Sequence, residues 1–536
     1  MRKAVSLFTL AAIAIVGAWA WLGAAVPMLP SPLEQGEKLY CVSYAPFRGQ
    51  QTPLDLATKI EPRQIEEDLA LLSRVADCIR IYSVDFGLDR VPEIAERHGL
   101  KVLLGLWVSS HADRTKWQIE TGVALAKRFP GVVRGVIVGN EALLRGEIAP
   151  NALAGLIRSV KAQVSMPVTY ADVWEFWLRH RELLDAVDFV TIHILPYWED
   201  HPIPAHEAAN HVDSIRRRVA GEFAGKEIVI GEVGWPSAGR MRSGALPSPA
   251  NQARVIHDIL ARGKRENFRV NIIEAFDQPW KRYQEGTVGG HWGLITDPPR
   301  ARKFDWGAAM SNHPHWRVQA AGGVVFAALV FGAALAARRR APASPELSIG
   351  GWSAIALVAA VAGVMVGWTV ESVPLESLGF GGWMRSLALA AVAIATPLAG
   401  AAALADNVAA PSFANMIGPV ADRAPHRLPR TLGLLLLALC ILAVQSALGL
   451  AFDPRYRDFP FAPLTSAAVP FLLLAFLAPR PPGVRPVAET AAAIVLALCV
   501  LAILFNEGLA NWQAVWTCAA LATIALTLVR ARAAPG

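Results

Sequence analysis

Residues 133–141 read Val133-Arg134-Gly135-Val136-Ile137-Val138-Gly139-Asn140-Glu141. The apolar, β-branched run from Val133 to Val138 predicts a buried strand, and the polar residues that follow place a carboxylate at its carboxyl end. The pattern returns where Glu227 to Ile230 run into Gly231-Glu232-Val233-Gly234-Trp235-Pro236. Working outward, six more such runs appear: Tyr40 to Ala45, Cys78 to Ser83, Lys101 to Trp107, Val168 to Asp172, Phe189 to Ile194 and Val270 to Phe276. Stretches of helical length separate them; in Ile65 to Val75, for example, Glu66, Glu67 and Asp68 lie between Ile65 and the apolar positions Leu69, Leu71, Leu72 and Val75. Eight βα repeats predict an α/β domain over residues 36–310, a closed (β/α)8 barrel of the TIM type. The rival, a doubly wound open sheet, would carry a phosphate-binding GxGxxG after its first strand, and that motif is missing.

The remainder is apolar. The chain has 536 residues, 54% hydrophobic and 18% charged, with a mean hydropathy of +0.35, which argues against a soluble cytosolic enzyme. The excess is concentrated in one stretch at 4–26 and seven more near 318–337, 349–370, 384–405, 431–450, 462–478, 488–506 and 512–529, each close to the ~20 residues that cross hydrocarbon. The expected domains are thus 1–35, an anchor and linker, 36–310, the barrel, and 311–536, a region of about seven membrane helices. Ala18-Trp19-Ala20 resembles a signal-peptidase site, but the long apolar run favours a retained anchor.

Loop charge sets an orientation. Arg2, Lys3, Arg338, Arg339, Arg340, Arg423, Arg427, Arg430, Arg480, Arg485, Arg530 and Arg532 all fall on one side of an eight-span arrangement. The other side carries Arg385, Arg455 and Arg457 among Glu371, Glu376, Asp453, Asp458 and Glu507. The positive-inside rule then predicts cytoplasmic termini and a barrel exported from the cytoplasm. Those loop cations also account for the net charge of +7, so it gives no support to nucleic-acid binding. Five cysteines make no disulfide framework or zinc motif, and no structural metal is indicated. Cys41 and Cys78 open neighbouring strands; two buried thiols are expected there, with a bridge as the alternative.

In barrels of this kind the reacting groups gather at the carboxyl ends of strands, which singles out Glu141 and Glu232. Two carboxylates facing one barrel mouth suit glycosidic cleavage, one protonating the leaving oxygen and the other attacking the anomeric carbon or activating water. Either glutamate alone reads equally well as an ordinary loop charge.

Their neighbours sharpen the reading. Asn140-Glu141 and Glu232-Val233-Gly234-Trp235-Pro236-Ser237 resemble family 17 glycoside hydrolases, retaining β-glucan enzymes of the 4/7 barrel clan. Further matching blocks are Ser43-Tyr44-Ala45-Pro46-Phe47, Ile79-Arg80-Ile81-Tyr82, Pro196-Tyr197, Glu274-Ala275-Phe276-Asp277-Gln278-Pro279-Trp280-Lys281 and His291-Trp292-Gly293-Leu294. The resemblance covers most of residues 38–307. It implies Glu141 as acid/base and Glu232 as nucleophile, with carboxyl groups about 5 to 5.5 Å apart and a covalent glucosyl-enzyme. Glu141 is then expected to hold a raised pKa, and Glu232 to be kept ionised by Arg80 or Tyr82. It also implies substrate contacts from Tyr44, Arg80, Tyr82, Asn140, Asp172, Tyr197, Trp235, Glu274, Asp277, Lys281 and Trp292. One departure stands out: fungal relatives carry an acid where this chain has Gln278, and Glu274, Asp277, Lys281 and Glu285 are the nearby groups that could compensate. Trp107, Trp174, Trp177, Trp198 and Trp280 add aromatic rings near strand ends, as sugar platforms or as plain core.

A barrel tethered to further spans is also similar to membrane-bound bacterial β-(1→6)-glucan synthases of periplasmic β-glucan production. That resemblance implies an inner-membrane enzyme with a periplasmic barrel that cleaves a β-1,3-glucan donor and joins the piece to an acceptor 6-hydroxyl. The chemistry needs no cofactor, and a glucan synthase is the expected partner for the spans. The alternatives are a plain β-1,3-glucan hydrolase and a non-catalytic glucan-binding or export component. The short predicted loops leave no room for the catalytic domain of a nucleotide-sugar synthase.

Overall fold

The computed structural model describes residues 2–340, 346–409, 411–417, 427–479 and 483–532. Arg423, Arg480 and Asp422 lie outside them. The chain forms two compact units, one of Pro27–Ala238 with Gly244–Met310, the other of Met1–Val26, Gly239–Ser243 and Ser311–Gly536.

The first unit is the barrel. Strands β1 (Cys41–Ser43), β2 (Cys78–Ile81), β3 (Lys101–Leu106), β4 (Val133–Asn140), β5 (Val168–Val173), β6 (Val190–His193), β7 (Ile228–Val233) and β8 (Val270–Ile272) pair in parallel and in chain order. The ring closes where β8 returns to β1, with Cys41 opposite Asn271 and Val42 opposite Ile272. All eight strands fall inside or across the runs read from the sequence. Helices between them bury one apolar stripe; in Pro62–Leu72 the stripe is Ile65, Leu69 and Leu72, at helical spacing. That helix stops before Val75 because the Val75 carbonyl already accepts from Leu39 N–H, bringing the chain to the start of β2.

Inside the ring, Cys41, Cys78, Leu103, Ile137 and Ala171 form a buried layer. Cys41 and Cys78 are joined by a disulfide, against the expectation of two free thiols. The reason lies in the register: Val42 pairs with Ile79, which sets Cys41 directly beside Cys78 with both side chains inward, 4.3 Å apart at Cα. Towards the carboxyl ends the interior turns polar, with Asn271 Nδ2 donating to Ser43 Oγ at 2.8 Å and to the Gly231 carbonyl at 2.6 Å.

The second unit is helical. Arg2–Leu22, Trp316–Arg340, Ile349–Glu376, Gly379–Ala405, Arg427–Phe452, Val487–Glu507 and Trp512–Arg530 are long and apolar enough to cross a membrane, and Phe461–Leu477 is a shorter apolar helix. Glycines allow close packing: a Cβ on Gly323 would lie 2.5 Å from the Gly363 carbonyl, and one on Gly363 2.8 Å from that of Gly323. Gly239–Ser243 belongs to this unit, where buried Arg240 pairs with Glu507 and lies 4.6 Å over the Phe459 ring. Asn511 ties the pair down, donating to Glu507 Oε2 at 2.7 Å while also donating to the Met241 carbonyl at 3.0 Å.

Candidate active site

Both glutamates stand where strand geometry breaks. Gly139 and Glu141 have φ of 91° and 52°, the left-handed region that a glutamate rarely adopts. The ladder between β4 and β5 shifts register between Ile137 and Asn140, and that between β6 and β7 shifts where His193 meets Glu232. Such shifts re-aim side chains beside functional sites. Here they bring the two carboxylates together: one oxygen of Glu141, one of Glu232 and one nitrogen of His193 all lie within 4.8 Å of one another.

Five side chains make the centre. Arg80, on β2 and 1% exposed, donates through Nη1 to Glu232 Oε1 at 3.2 Å and to the Gly231 carbonyl at 2.8 Å, and through Nη2 to Asn140 Oδ1. His193 on β6 meets Glu141 Oε1 through Nδ1 at 2.7 Å, and its Nε2 lies 3.5 Å from Glu232 Oε1. Burial pushes the Glu141 carboxyl up, but the His193 hydrogen bond and the charges of His193, Arg80 and Arg145 outweigh it and leave the group below the ordinary range. The expected raised value is therefore corrected: the charge of Glu232 does not dominate, because Arg80 is paired to it and His193 stands between the two acids. Glu141, His193 and Glu232 also have the donor types of a metal site, but the Arg80 guanidinium already directs positive charge at the same Glu232 oxygen and at His193 Nε2.

The turn after β4 is braced from behind. Glu141 N–H donates to the Ala171 carbonyl at 2.8 Å, and Leu143 N–H to Tyr170 Oη at 2.9 Å. Arg145 donates to the carbonyls of Asn140 and Val108 and lies 4.1 Å over the Trp107 ring. Asp172 receives the Tyr170 hydroxyl and the Val173 N–H. Fully buried, it supports this turn and does not line a cleft as the sequence suggested.

At β8, Lys281 Nζ meets Glu274 Oε1 at 2.5 Å. Burial raises the Glu274 carboxyl to about 7, and Lys281, although burial opposes it, is held above its ordinary value by Glu274 and Glu285. Glu274 is thus the acid paired with Lys281. Gln278 is buried as a backbone brace, donating to the carbonyls of Ala45, Phe276 and Asp277.

Several expected contacts are committed elsewhere. Tyr44 is buried and its hydroxyl donates to Asp68 Oδ2 on helix Pro62–Leu72 at 3.0 Å. Asp277 is buried against Lys303 Nζ at 2.6 Å and accepts from Gly293 N–H. Tyr82 Oη donates to the Ile273 carbonyl at 3.5 Å rather than reaching Glu232, while its ring lies 4.8 Å from the Arg80 guanidinium carbon. Tyr197, Trp235 and Trp292 are fully buried in one edge-on aromatic cluster, which makes them a wall behind the site and not exposed platforms. Trp107, Trp174, Trp198 and Trp280 keep partial exposure, whereas Trp177 is core. His193 and Arg145 were missed. His193 had a signal: Thr191 and His193 alternate with Val190, Ile192 and Ile194, marking a polar inward face on an otherwise apolar strand.

The parallel barrel thus draws two glutamates, from the ends of β4 and β7, into one polar centre, the pair of carboxyl groups that glycosidic cleavage calls for. Residues 41–293 match the BtgE/BtgC glycoside hydrolase domain. The chain is 26% identical over 254 residues to the glucan 1,3-beta-glucosidase of Candida albicans, covering 43% of this chain and 82% of that protein. It is also 26% identical over 293 residues to btgC of Aspergillus niger, provisionally named a glucan endo-1,3-beta-glucosidase, with 47% of this chain and 40% of that protein covered. It therefore spans less than half the length of that relative. Among solved structures, the glycoside hydrolase family 17 beta-1,3-glucanosyltransferase of Rhizomucor miehei matches 50% of this chain and 98% of its own at 25% identity, with a TM-score of 0.42.

Proposed function

We propose that this protein is a membrane-anchored, retaining β-1,3-glucan transglucosylase. The observation that carries the reading is the closeness of Glu141 and Glu232, whose nearest oxygens lie within 4.8 Å. Retaining enzymes set their carboxyl groups about 5 to 5.5 Å apart, and inverting ones leave about 6.5 to 9.5 Å for a water. In the first step Glu141, in the protonated form that its depressed pKa makes the minor one near neutral pH, gives its proton to the glycosidic oxygen, the C1–O bond breaks, and a Glu232 oxygen bonds to C1. Arg80, donating to Glu232 Oε1, keeps that carboxylate oriented until it attacks. In the second step Glu141 takes the proton of an acceptor hydroxyl, whose oxygen bonds to C1 as the Glu232 ester breaks. Water as acceptor gives hydrolysis; a sugar hydroxyl gives transfer.

The apolar helices and their one-sided basic loops favour a barrel held on the extracytoplasmic face, and the sequence resemblance favours a bacterial inner membrane, beside glucan emerging from a synthase partner. The same resemblance points the acceptor to a 6-hydroxyl, giving β-1,6 linkages or branches. Incubating the purified full chain with laminari-oligosaccharides tests this. Longer products with new 6-linked residues, detected by linkage analysis, are expected. Shortening alone means a β-1,3-glucan hydrolase, and unchanged oligosaccharide means a binding or export component. Glu232→Gln should abolish turnover of either kind; activity retained in that variant refutes the mechanism.

A further inference from the structure

We propose that His193 is a positioning residue for Glu141: its Nδ1–H holds carboxylate Oε1, and this fixes Oε2 as the oxygen that gives and takes the catalytic proton. The proposal rests on the two-carboxylate reading above. The His193 side chain is fully buried, and its 2.7 Å contact to Glu141 is shorter than either contact it makes on its other side. The tautomer follows from Arg80. A guanidinium offers donors only, so its Nη1, 3.3 Å from His193 Nε2, disfavours a second donor on that nitrogen. The Nδ1–H then faces Glu141 and donates to its Oε1.

A proton on Nε2 would have only Glu232 to serve, at 3.5 Å, and would face the nearer Arg80 cation. Arg80 already supplies Glu232 with its donor. The charged groups around the ring come from four strands: Glu141 at the end of β4, Glu232 on β7, Arg80 on β2 and Asp172 on β5, with Arg145 acting on Glu141 from the turn behind it. The Glu141 side chain keeps 23% exposure, so its second oxygen can reach a ligand while Oε1 is occupied. The strained φ of Glu141 and the register shift at His193 serve the same contact, because each aims one partner at the other.

The test uses the full chain with His193→Ala and His193→Asn, the second keeping a donor near the Nδ1 position. Two donors are compared, a laminari-oligosaccharide, whose leaving oxygen needs a proton, and 2,4-dinitrophenyl β-laminaribioside, whose leaving group does not. If His193 acts through Glu141, His193→Ala loses about 100-fold in kcat/KM on the oligosaccharide, near the lower end of general-acid contributions. The loss in the burst of dinitrophenolate is several-fold smaller, and His193→Asn recovers most of the oligosaccharide activity. The alkaline limb of kcat/KM moves to higher pH in His193→Ala, because a donor that favoured the ionised carboxylate is gone. Equal losses on both substrates, or an unmoved alkaline limb, overturn the proposal. Should His193→Ala fail to fold, a His193→Asn variant that is as impaired on the aryl donor as on the oligosaccharide overturns it too. A wild-type chain inert on both donors sinks the two-carboxylate reading instead, which separates the two failures.

Discussion

Burial drives the Asp172 carboxyl up to about 6; the Tyr170 hydroxyl pulls it back down in part, and the charge of Glu141 adds to the rise. The folded protein therefore binds this proton more tightly than the unfolded chain, where an aspartate titrates near 3.9. The associated stability is full below the unfolded value and is lost as pH rises through about 6, a change of roughly 3 kcal/mol for a shift of this size. Asp172→Asn can still accept from Tyr170 without titrating. Thermal melts of wild type and variant are expected to diverge between about pH 4 and pH 6, the wild type losing more; parallel curves would sink the account. Arg80 makes a sharper case. Replacing it with Met leaves Glu232 and Asn140 without their buried donor, and breaking such a pair costs about 3 to 5 kcal/mol. Activity on laminari-oligosaccharides should fall at least ~100-fold with the barrel still folded by circular dichroism, since the charge that orients the nucleophile has gone.

At the scale of the element, the turn leaving β4 does the positioning. Gly139 at φ 91° lets the strand swing Asn140 towards Arg80 and Glu141 towards His193, and a Cβ there would lie 3.2 Å from Tyr170 Cε2. Gly139→Ala adds a left-handed penalty of about 1 to 2 kcal/mol and crowds the tyrosine that holds Leu143. Kinetics should show kcat reduced about 10-fold with KM little changed, because a misaimed acid weakens the transition state more than binding; a raised KM alone would speak against it. Strands and turns of this kind were legible because buried parallel strands are near-continuous apolar runs, and a polar residue that ends one is conspicuous. Glu141 and Glu232 could be picked out on that ground, whereas Arg80 and Asn140 were reached through the resemblance of the blocks that hold them. The disulfide could not, since only the register that sets Cys41 beside Cys78 decides it. Tyr44, Asp277 and Asp172 were misjudged for a related reason: sequence blocks around a site contain the residues that brace strand ends as well as those that face the cleft. His193 lay on a polar inward face legible from its alternation with Val190, Ile192 and Ile194, but what that face meets is decided only when its neighbours on β4 and β7 are in place.

Across the whole chain, the apolar excess resides in the helical unit, and one helix there decides the topology. Phe461–Leu477 has 17 residues, about 26 Å of helix at 1.5 Å per residue, somewhat short of a hydrocarbon core of about 30 Å. If it crosses, Arg485, Arg530 and Arg532 share a face with Arg338, Arg339 and Arg340; if it does not, the last two helices invert and carry those arginines to the opposite side. Two contacts favour crossing. Trp516 Nε1 donates to Thr465 Oγ1 at 3.0 Å near the start of both Trp512–Arg530 and Phe461–Leu477, and Arg530 Nε donates to the Ala475 carbonyl at 3.0 Å near the end of both. The two helices thus run parallel and level along their length, so whichever face receives one carboxyl end receives the other. Thinning or snorkelling covers a mismatch of a few ångströms at a fraction of a kcal/mol per ångström, less than it would cost to place three arginines against the positive-inside bias. A reporter fused after Arg532 is therefore expected to read as cytoplasmic, and one inserted near Asn251 as extracytoplasmic. An extracytoplasmic signal at both positions would mean that Phe461–Leu477 lies short of a full crossing, and a cytoplasmic signal near Asn251 would remove the barrel from the compartment where glucan could reach Glu141 and Glu232.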